Sequence, residues 1–206
     1  MKAEDLQNVV PGFHDGVAGS QEIFRCALQA LSMPGKAVEI PAIAQLPNAG
    51  HNSSALLLLA LLDSETSLWV SSSIAQSDAP TWLRFHTGCR LVDDPAQAQF
   101  LWLARGDAWP SLAELEAGSD EYPDHSATCV MELDHSSQKS AQHFTLSGPG
   151  IKQTLALSAH GLPADFVTQW ADNHAAFPRG VDVLLTSPSH VLGLPRTTQV
   201  LSSEAV

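Results

Sequence analysis

The amino-acid sequence predicts an α/β protein built around a mixed β-sheet. Two observations favour this class. Amphipathic helical segments interleave with short apolar strands along the chain, which is the pattern of layered α/β folds. In two places strands follow one another without a helix between them, so we do not expect a strictly parallel sheet. The 206 residues can bury one full core, and we expect a single domain over 1–206 with loose termini at 1–12 and 201–206.

The first third of the chain predicts a helix, a strand and a second helix. The first helix begins near Ser20 and stops at Met33-Pro34-Gly35. Between them apolar residues recur at helical spacing, namely Ile23, Phe24, Ala27, Leu28 and Leu31. Lys36–Ile40 then has the character of a strand. Ala55–Leu62 follows as a helix buried on most sides, because its leucines and alanines lack β-branching.

The middle of the chain predicts a strand at Leu68–Val70. It also predicts a short helix whose last residues are Trp82–His86 and which ends before Gly88. Gln99–Ala104 is apolar on both faces, so we expect a central strand there. Ser111 and Glu114 have the spacing of a capping box, in which the hydroxyl and the carboxylate each accept a hydrogen bond from an unpaired amide.

The last part of the chain predicts five strands and one helix. The strands are Thr128–Leu133, Gln142–Leu146, Lys152–Leu157, Val181–Thr186 and His190–Leu194. The second and third flank a Gly-Pro-Gly turn as a hairpin. A helix opens at Gly161–Pro163 and ends at Phe177-Pro178. Its predicted buried stripe consists of Phe166, Val167, Trp170 and Ala171.

The charge balance excludes several classes of partner. The chain has 10 Lys and Arg against 22 Asp and Glu, a net charge of −12, which disfavours non-specific binding to nucleic acid or to an anionic membrane. The start of the sequence lacks the apolar stretch of a signal peptide. Three cysteines without a CxxC pair indicate free thiols in a reducing compartment. We therefore expect a cytoplasmic protein.

Common catalytic motifs are missing from the sequence. It has neither a phosphate loop nor GxGxxG, HExxH or GxSxG. A zinc set of two histidines and two cysteines can be written from His86, Cys89, His125 and Cys129. The stronger interpretation is that both cysteines are small core residues, so we expect no metal site.

The six arginines point towards an anionic ligand. A guanidinium offers a planar set of donors suited to phosphate or phosphonate, and Arg84 and Arg196 stand near the ends of predicted elements. The alternative for each arginine is a salt bridge in this acidic chain. In the same way, Ser147-Gly148-Pro149-Gly150 is either an amide nest for an anion or simply a turn.

Four segments together resemble the PhnH subunit family of bacterial carbon–phosphorus lyase. They lie in order along nearly the whole chain, at Phe24–Gly35, Leu83–Thr87, Leu146–Ile151 and Phe177–Thr198. Each segment is a weak signal alone, but four in the right order make a strong one.

The resemblance implies a fold and a role that composition does not show. The fold is a three-layer α/β/α arrangement with a mixed sheet, similar to pyridoxal-phosphate-dependent transferases but without the cofactor. The role is that of a subunit, a homodimer when isolated, which assembles with PhnG-, PhnI- and PhnJ-like partners. The complex forms alpha-D-ribose 1-methylphosphonate 5-triphosphate from ATP and methylphosphonate. Only four lysines are present, which agrees with the loss of a Schiff-base cofactor.

Positions that match the family suggest where a ligand binds. Arg84 and His86 are candidates for a cation and a proton donor near an anionic group, and Arg196 with Thr197 is a candidate for a second contact at a strand end. The alternative is structural, with His86 ending a helix and Arg196 paired to an acid such as Asp182. No catalytic residue is assigned.

Three functions follow from these observations. The first is a structural or substrate-presenting subunit of the phosphonate-processing complex, with the chemistry on partner chains. The second is a stand-alone homodimeric enzyme that binds a nucleotide or a phosphonate, although the sequence contains no self-contained catalytic site. The third is a cofactor enzyme that still binds pyridoxal phosphate.

Overall fold

The computed structural model describes residues 10–134 and 141–203, which form three β-sheets and five α-helices within those ranges. The helices are α1 Gly16–Ser32, α2 Asn52–Leu61, α3 Ser72–Ala75, α4 Ala79–Thr87 and α5 Phe166–Ala175. The first six strands are β1 Gly12–Phe13, β2 Val38–Glu39, β3 Ala44–Gln45, β4 Ser67–Val70, β5 Arg90–Leu91 and β6 Phe100–Leu103. The remaining strands are β7 Thr128–Glu132, β8 Gln142–Ser147, β9 Leu155–Ala159, β10 Asp182–Thr186, β11 His190–Leu194 and β12 Gln199–Ser202.

The central sheet is mixed, as the sequence predicts. Its seven strands run in the order β2-β11-β10-β7-β6-β4-β5. The strands from β10 to β5 are parallel, whereas β11 is antiparallel to both β10 and β2. Helices connect the parallel strands, and the three-residue turn after β10 allows only an antiparallel neighbour. The carboxyl ends of β4, β6, β7 and β10 therefore meet at one edge of the sheet.

The two faces of this sheet carry different layers. Helices α1, α2 and α4 cover one face, over a core that includes Trp102, Val130 and Leu184. On the other face, α5 shares the layer with a three-stranded sheet of order β12-β8-β9, and Phe144 and Trp170 pack there against the central strands. One outer layer thus combines a helix with a sheet, which differs from the helix-only layers expected from the family resemblance.

Helix α1 begins earlier and buries a different face than the sequence predicts. The Asp15 carboxylate accepts hydrogen bonds from the amides of Val17 and Ala18, both at 3.0 Å, and so starts the helix before Ser20. Ile23 and Ala27 are buried as expected. Phe24 and Leu28, in contrast, are 45% and 51% exposed. The apolar pattern therefore combines a buried face with a second, outward stripe.

The chain ends in a strand that the sequence analysis does not predict. β12 pairs with β8 in an antiparallel register, so Leu201 and Ser202 form part of a sheet rather than of a loose terminus. Val200 is buried in that strand while its neighbours point outward, and one apolar residue is too weak a pattern to detect. At the other end Gly12 lies in β1. Residues 1–9 and 204–206 of the predicted loose termini lie outside the described residues.

Three other predicted elements are shorter than expected. The strand after α1 is reduced to Val38–Glu39, the second hairpin strand begins at Leu155, and α5 begins at Phe166 rather than next to Pro163. In α5 the buried residues are Phe166, Trp170 and Asn173. Within the described residues, no helix has the length and apolarity needed to cross a membrane.

Candidate functional site

His86 lies in the last turn of α4, where its ring holds the chain that precedes β1. Its Nε2 is 2.9 Å from the Val10 carbonyl oxygen, and because a carbonyl only accepts, Nε2 is the donor. The Trp82 indole donates to the same oxygen at 3.0 Å. The imidazole also contacts Trp82 edge-on, with ring centroids 5.2 Å apart. These contacts support the structural interpretation of His86.

Arg84 differs from its neighbour because its guanidinium faces solvent. The residue is exposed, and the ion pairs found among the described residues do not include it. Phe85 beside it is half exposed and meets the His86 ring edge-on. Of the two candidates on α4, Arg84 is the one with donors left for an anion.

Arg196 is held by the protein through every N–H group of its guanidinium. Nε and Nη2 bind the two carboxylate oxygens of Asp182, at 3.2 and 2.6 Å. Nη1 donates to the carbonyls of Pro123 and Pro178, and Nη2 also donates to the Ser126 hydroxyl. A guanidinium has five N–H donors, and five protein acceptors are present. This is the Asp182 pairing considered from the sequence, and it leaves no donor for an anion.

Thr197 stands in a turn tied to α5. The His174 ring lies 2.8 Å from the Arg196 carbonyl oxygen, and the Trp170 indole donates to the Thr198 carbonyl at 2.7 Å. Since β11 is antiparallel, its carboxyl end lies at the amino edge of the parallel strands, opposite to the edge where ligands of α/β sheets bind.

The structure does not bring the two predicted pairs of site residues together. Helix α4 leads into β5, whereas Arg196 is paired to the first residue of β10. Four strand spacings separate β5 from β10, which is about 19 Å. The two pairs therefore do not form a single anion site in this chain.

A buried acid at the carboxyl edge of the central strands is missing from the sequence predictions. Glu132 ends β7 and is 0% exposed. Its Oε1 accepts hydrogen bonds from the Trp102 indole at 2.8 Å and from the backbone amide of His51 at 2.6 Å. Oε2 has no hydrogen-bond partner among the described residues. Gly50 lies against this carboxylate, since a Cβ there would overlap it and lie 2.8 Å from the Trp102 ring.

Helix α2 explains why an acid lies at this position. His51 is the residue that precedes the first turn of α2, so the Glu132 carboxylate lies at the positive end of the helix dipole. The other N-terminal residues of α2 face the same edge. The hydroxyls of Ser54 and Thr186 are 2.8 Å apart, and the Ser53 hydroxyl donates to the Ser187 carbonyl. We call Glu132, Trp102, His51, Ser54 and Thr186 the carboxyl-edge cluster.

A second polar group extends this edge towards β4. The Asp107 carboxylate accepts hydrogen bonds from the amide and the hydroxyl of Ser73, both at 2.8 Å. Desolvation by burial opposes the charged form of Asp107, but the hydrogen bonds from Ser71, Ser73 and Ser72 outweigh it, so the pKa of this carboxyl lies below its usual value. The edge thus presents fixed acceptors and hydroxyl groups.

The four residues of the possible zinc set do not meet. Cys89 packs in the core on the α1 and α2 face of the central sheet, and Cys129 packs in the core on the opposite face. Burial raises the pKa of both thiols, most strongly that of Cys129, where the charge of Asp182 adds to the effect. No group of three or more potential metal ligands exists within residues 10–134 and 141–203.

A sequence signal for Glu132 did exist. The segment Cys129-Val130-Met131-Glu132-Leu133 places one acid inside an otherwise apolar strand. Cys129, Met131 and Leu133 alternate along this segment, and all three lie in one core. Glu132 lies on the other face of the strand. That face would be exposed to solvent if only one side of the sheet were covered, but α2 covers it here. An acid in a strand between two helical layers is the pattern that identifies it.

Comparisons with known proteins place this geometry in a biological setting. The family model for bacterial phosphonate metabolism protein (PhnH) matches residues 11–201. The chain is 36% identical over 188 residues to the "Alpha-D-ribose 1-methylphosphonate 5-triphosphate synthase subunit PhnH" of Rhizobium meliloti (strain 1021), covering 91% of this chain and 93% of the relative. It is 33% identical over 184 residues to the "Putative C-P lyase subunit protein HtxG" of Stutzerimonas stutzeri, covering 87% and 85%.

Proposed function

The chain belongs to the PhnH family of bacterial phosphonate metabolism proteins, and on that premise we propose that it is a subunit of the carbon–phosphorus lyase core complex. It takes part in forming alpha-D-ribose 1-methylphosphonate 5-triphosphate from ATP and methylphosphonate, while the main chemistry occurs on partner subunits. The observation that carries this proposal is the 36% identity to a synthase subunit across 91% of the chain.

The contacts of the polar groups described above support a role without a complete active site. All side-chain donors of Arg196 bind protein acceptors, and His86 is bound to the Val10 carbonyl. Glu132 is sealed beneath α2 and supplies a fixed acceptor at the sheet edge. Arg84 is the predicted site residue that still faces solvent, and we keep it as a candidate contact for a substrate anion at a subunit interface.

We also propose the domain organisation, location, fold relationship and lack of cofactor that the family implies. The chain is a single domain in the cytoplasm, related in fold to pyridoxal-phosphate-dependent transferases, and it works without that cofactor. The sequence has four lysines, which limits the positions at which a Schiff base with that cofactor could form.

The exposed stripe of α1 is the surface we assign to assembly. Val17, Phe24 and Leu28 are spaced by seven and four residues, so they lie on one line along the helix. They are 73%, 45% and 51% exposed. Large apolar side chains aligned in this way on a 17-residue helix mark an interaction surface. We propose that this α1 stripe contacts PhnG-, PhnI- or PhnJ-like partners, and that it joins two copies when the chain is alone.

Co-purification tests the proposal. The chain is co-expressed with the partner subunits and recovered through a tag on one of them, and we expect it in a fixed ratio. The double variant Phe24→Glu/Leu28→Glu should lose this association and behave as a monomer in light scattering. Gln29→Glu adds a charge to the same helix outside the stripe and should assemble normally. Failure of the unaltered chain to co-purify would contradict the proposal.

Replacement of Arg84 tests its assignment separately. Arg84→Ala should abolish growth on methylphosphonate while the complex still assembles, because the residue is exposed and forms no ion pair within the described residues. His86→Ala should instead destabilise the chain, because the Val10 carbonyl loses one of its two donors. If the complex also falls apart in Arg84→Ala, Arg84 is architectural as well. Turnover of ATP and methylphosphonate by the purified chain alone would instead favour a stand-alone enzyme.

A further inference from the structure

A groove of about 480 Å³ lies between two turns at the border of the second sheet. One wall is Met33–Lys36, which follows α1, and the other is the segment 150–155, which joins β8 to β9. The turns are in direct contact, because a Cβ on Gly150 would overlap the Ser32 carbonyl oxygen. The amide of Gly35 is anchored to the Gly193 carbonyl at 3.1 Å. The two walls are therefore in contact with each other, and one of them is anchored to β11.

The charge of this groove is opposite to that of the chain. Lys36 and Lys152 stand on opposite walls, and none of the described lining residues is acidic. In a chain with 22 acids and 10 bases such a surface is unexpected. Neither ammonium group has an ion-pair partner within the described residues. We refer to this feature as the lysine groove.

The backbone adds donors to the two lysines. The amide of Ile151 closes its turn on the Gly148 carbonyl at 3.1 Å. The next two amides, of Lys152 and Gln153, have no protein acceptor in the part of the chain that the structure describes. Pro34 is buried at the base, and Ile151 and Leu155 are half-buried, so the groove also offers apolar surface. Cations, amides and an apolar base together suit a ligand with an anionic chain and a less polar body.

We propose that the lysine groove binds a ribose-bearing triphosphate, with Lys36 and Lys152 on the phosphate oxygens and the sugar against Ile151 and Leu155. This inference rests on the proposed function, because it takes the triphosphate from the synthase relative. The groove has the size of a small-molecule site, since such pockets occupy roughly 300–1,000 Å³. Lysine ammonium groups are established binders of phosphate as point charges.

Direct binding of ATP to the purified chain tests this site, by calorimetry at low and at physiological salt. We expect binding that weakens with salt. Each of Lys36→Gln and Lys152→Gln should weaken it by about fivefold to tenfold, and the double variant by about 25-fold or more, as expected for loss of charged contacts. Arg105→Gln removes the same charge from an exposed residue outside the groove and should change affinity less than about twofold. Both lysines are exposed, so all variants should keep the thermal stability of the parent.

Two results would overturn the inference. One is the absence of ATP binding by the folded chain, and the other is equal loss of affinity in Arg105→Gln, which would show a non-specific effect of charge. Failure of the lysine groove can be distinguished from failure of the proposed function. If the chain co-purifies with its partners but does not bind ATP, only the lysine groove is wrong. If it binds ATP through the two lysines but never co-purifies, the subunit role is wrong.

Discussion

Replacement of Arg196 by methionine separates a structural arginine from a ligand-binding one. The Arg196 side chain is 11% exposed and that of Asp182 is 24% exposed, so the pair is largely removed from water. Arg196→Met keeps much of the length of the side chain but deletes five hydrogen bonds. Asp182 retains the hydrogen bond from the backbone amide of residue 196, at 2.8 Å in the parent. The carbonyls of Pro123 and Pro178 and the Ser126 hydroxyl lose their donor.

These losses set the expected magnitude. Removing one partner of a buried ion pair costs about 3–5 kcal/mol, mainly because the remaining charge stays buried without compensation. For a chain of this length, each kcal/mol corresponds to about 2–4 °C in melting temperature. We therefore expect Arg196→Met to melt about 6–20 °C below the parent. The free energy of unfolding is measured by urea denaturation followed by tryptophan fluorescence.

A matched variant completes this experiment. Arg84→Met removes the same charge from an exposed arginine and should change the free energy of unfolding by less than about 0.5 kcal/mol. Asp182→Asn combined with Arg196→Met should cost less than the sum of the single variants, since they share one pair. If Arg196→Met unfolds like the parent yet loses affinity for phosphate or phosphonate, the structural interpretation of Arg196 is wrong.

Three other groups give further predictions. Glu132→Ala should destabilise the chain by about 3 kcal/mol or more in urea denaturation, because two buried donors lose their acceptor. Glu132→Gln should cost only about 1 kcal/mol, since its side chain has the same shape. Equal costs for the two variants would show that the shape of this side chain has no role. Cys89 and Cys129 should resist a thiol reagent in the native chain, since burial raises the pKa of both thiols, and rapid native labelling at neutral pH would contradict their placement. Asp107→Asn should lower the free energy of unfolding at neutral pH. The difference between variant and parent should vanish as the pH falls from about 4 through the lowered pKa of Asp107, because the parent carboxylate becomes protonated there. A difference that does not depend on pH would contradict the hydrogen bonds to this carboxylate.

Local signals allowed much of the fold to be predicted. The capping box at Ser111 and Glu114 is confirmed, since the Ser111 hydroxyl accepts from the amide of Ala113 and the Glu114 carboxylate accepts from the amide of Ser111. Helix α4 ends at Gly88 in the left-handed conformation, as its sequence indicates. These features depend on residues a few positions apart, and their physics is contained in the sequence.

The features that could not be predicted depend on partners far along the chain. The sequence pattern of α1 contains two apolar stripes, and only the packing of the helix on α2 and β11 decides which one is buried. The burial of Glu132 depends on α2, which lies about 80 positions earlier. The anion contact proposed from Arg196 and Thr197 was placed at a strand end, and the antiparallel direction of β11 puts that end at the amino edge of the parallel strands.

Reconstitution of the synthase reaction shows whether the chain is a required subunit. The partner subunits are supplied with ATP and methylphosphonate, with and without this chain, and the release of adenine is measured. We expect product only when the chain and its partners are present together, and none from the chain alone. Full activity of the partners without the chain, or turnover by the chain in isolation, would contradict this expectation.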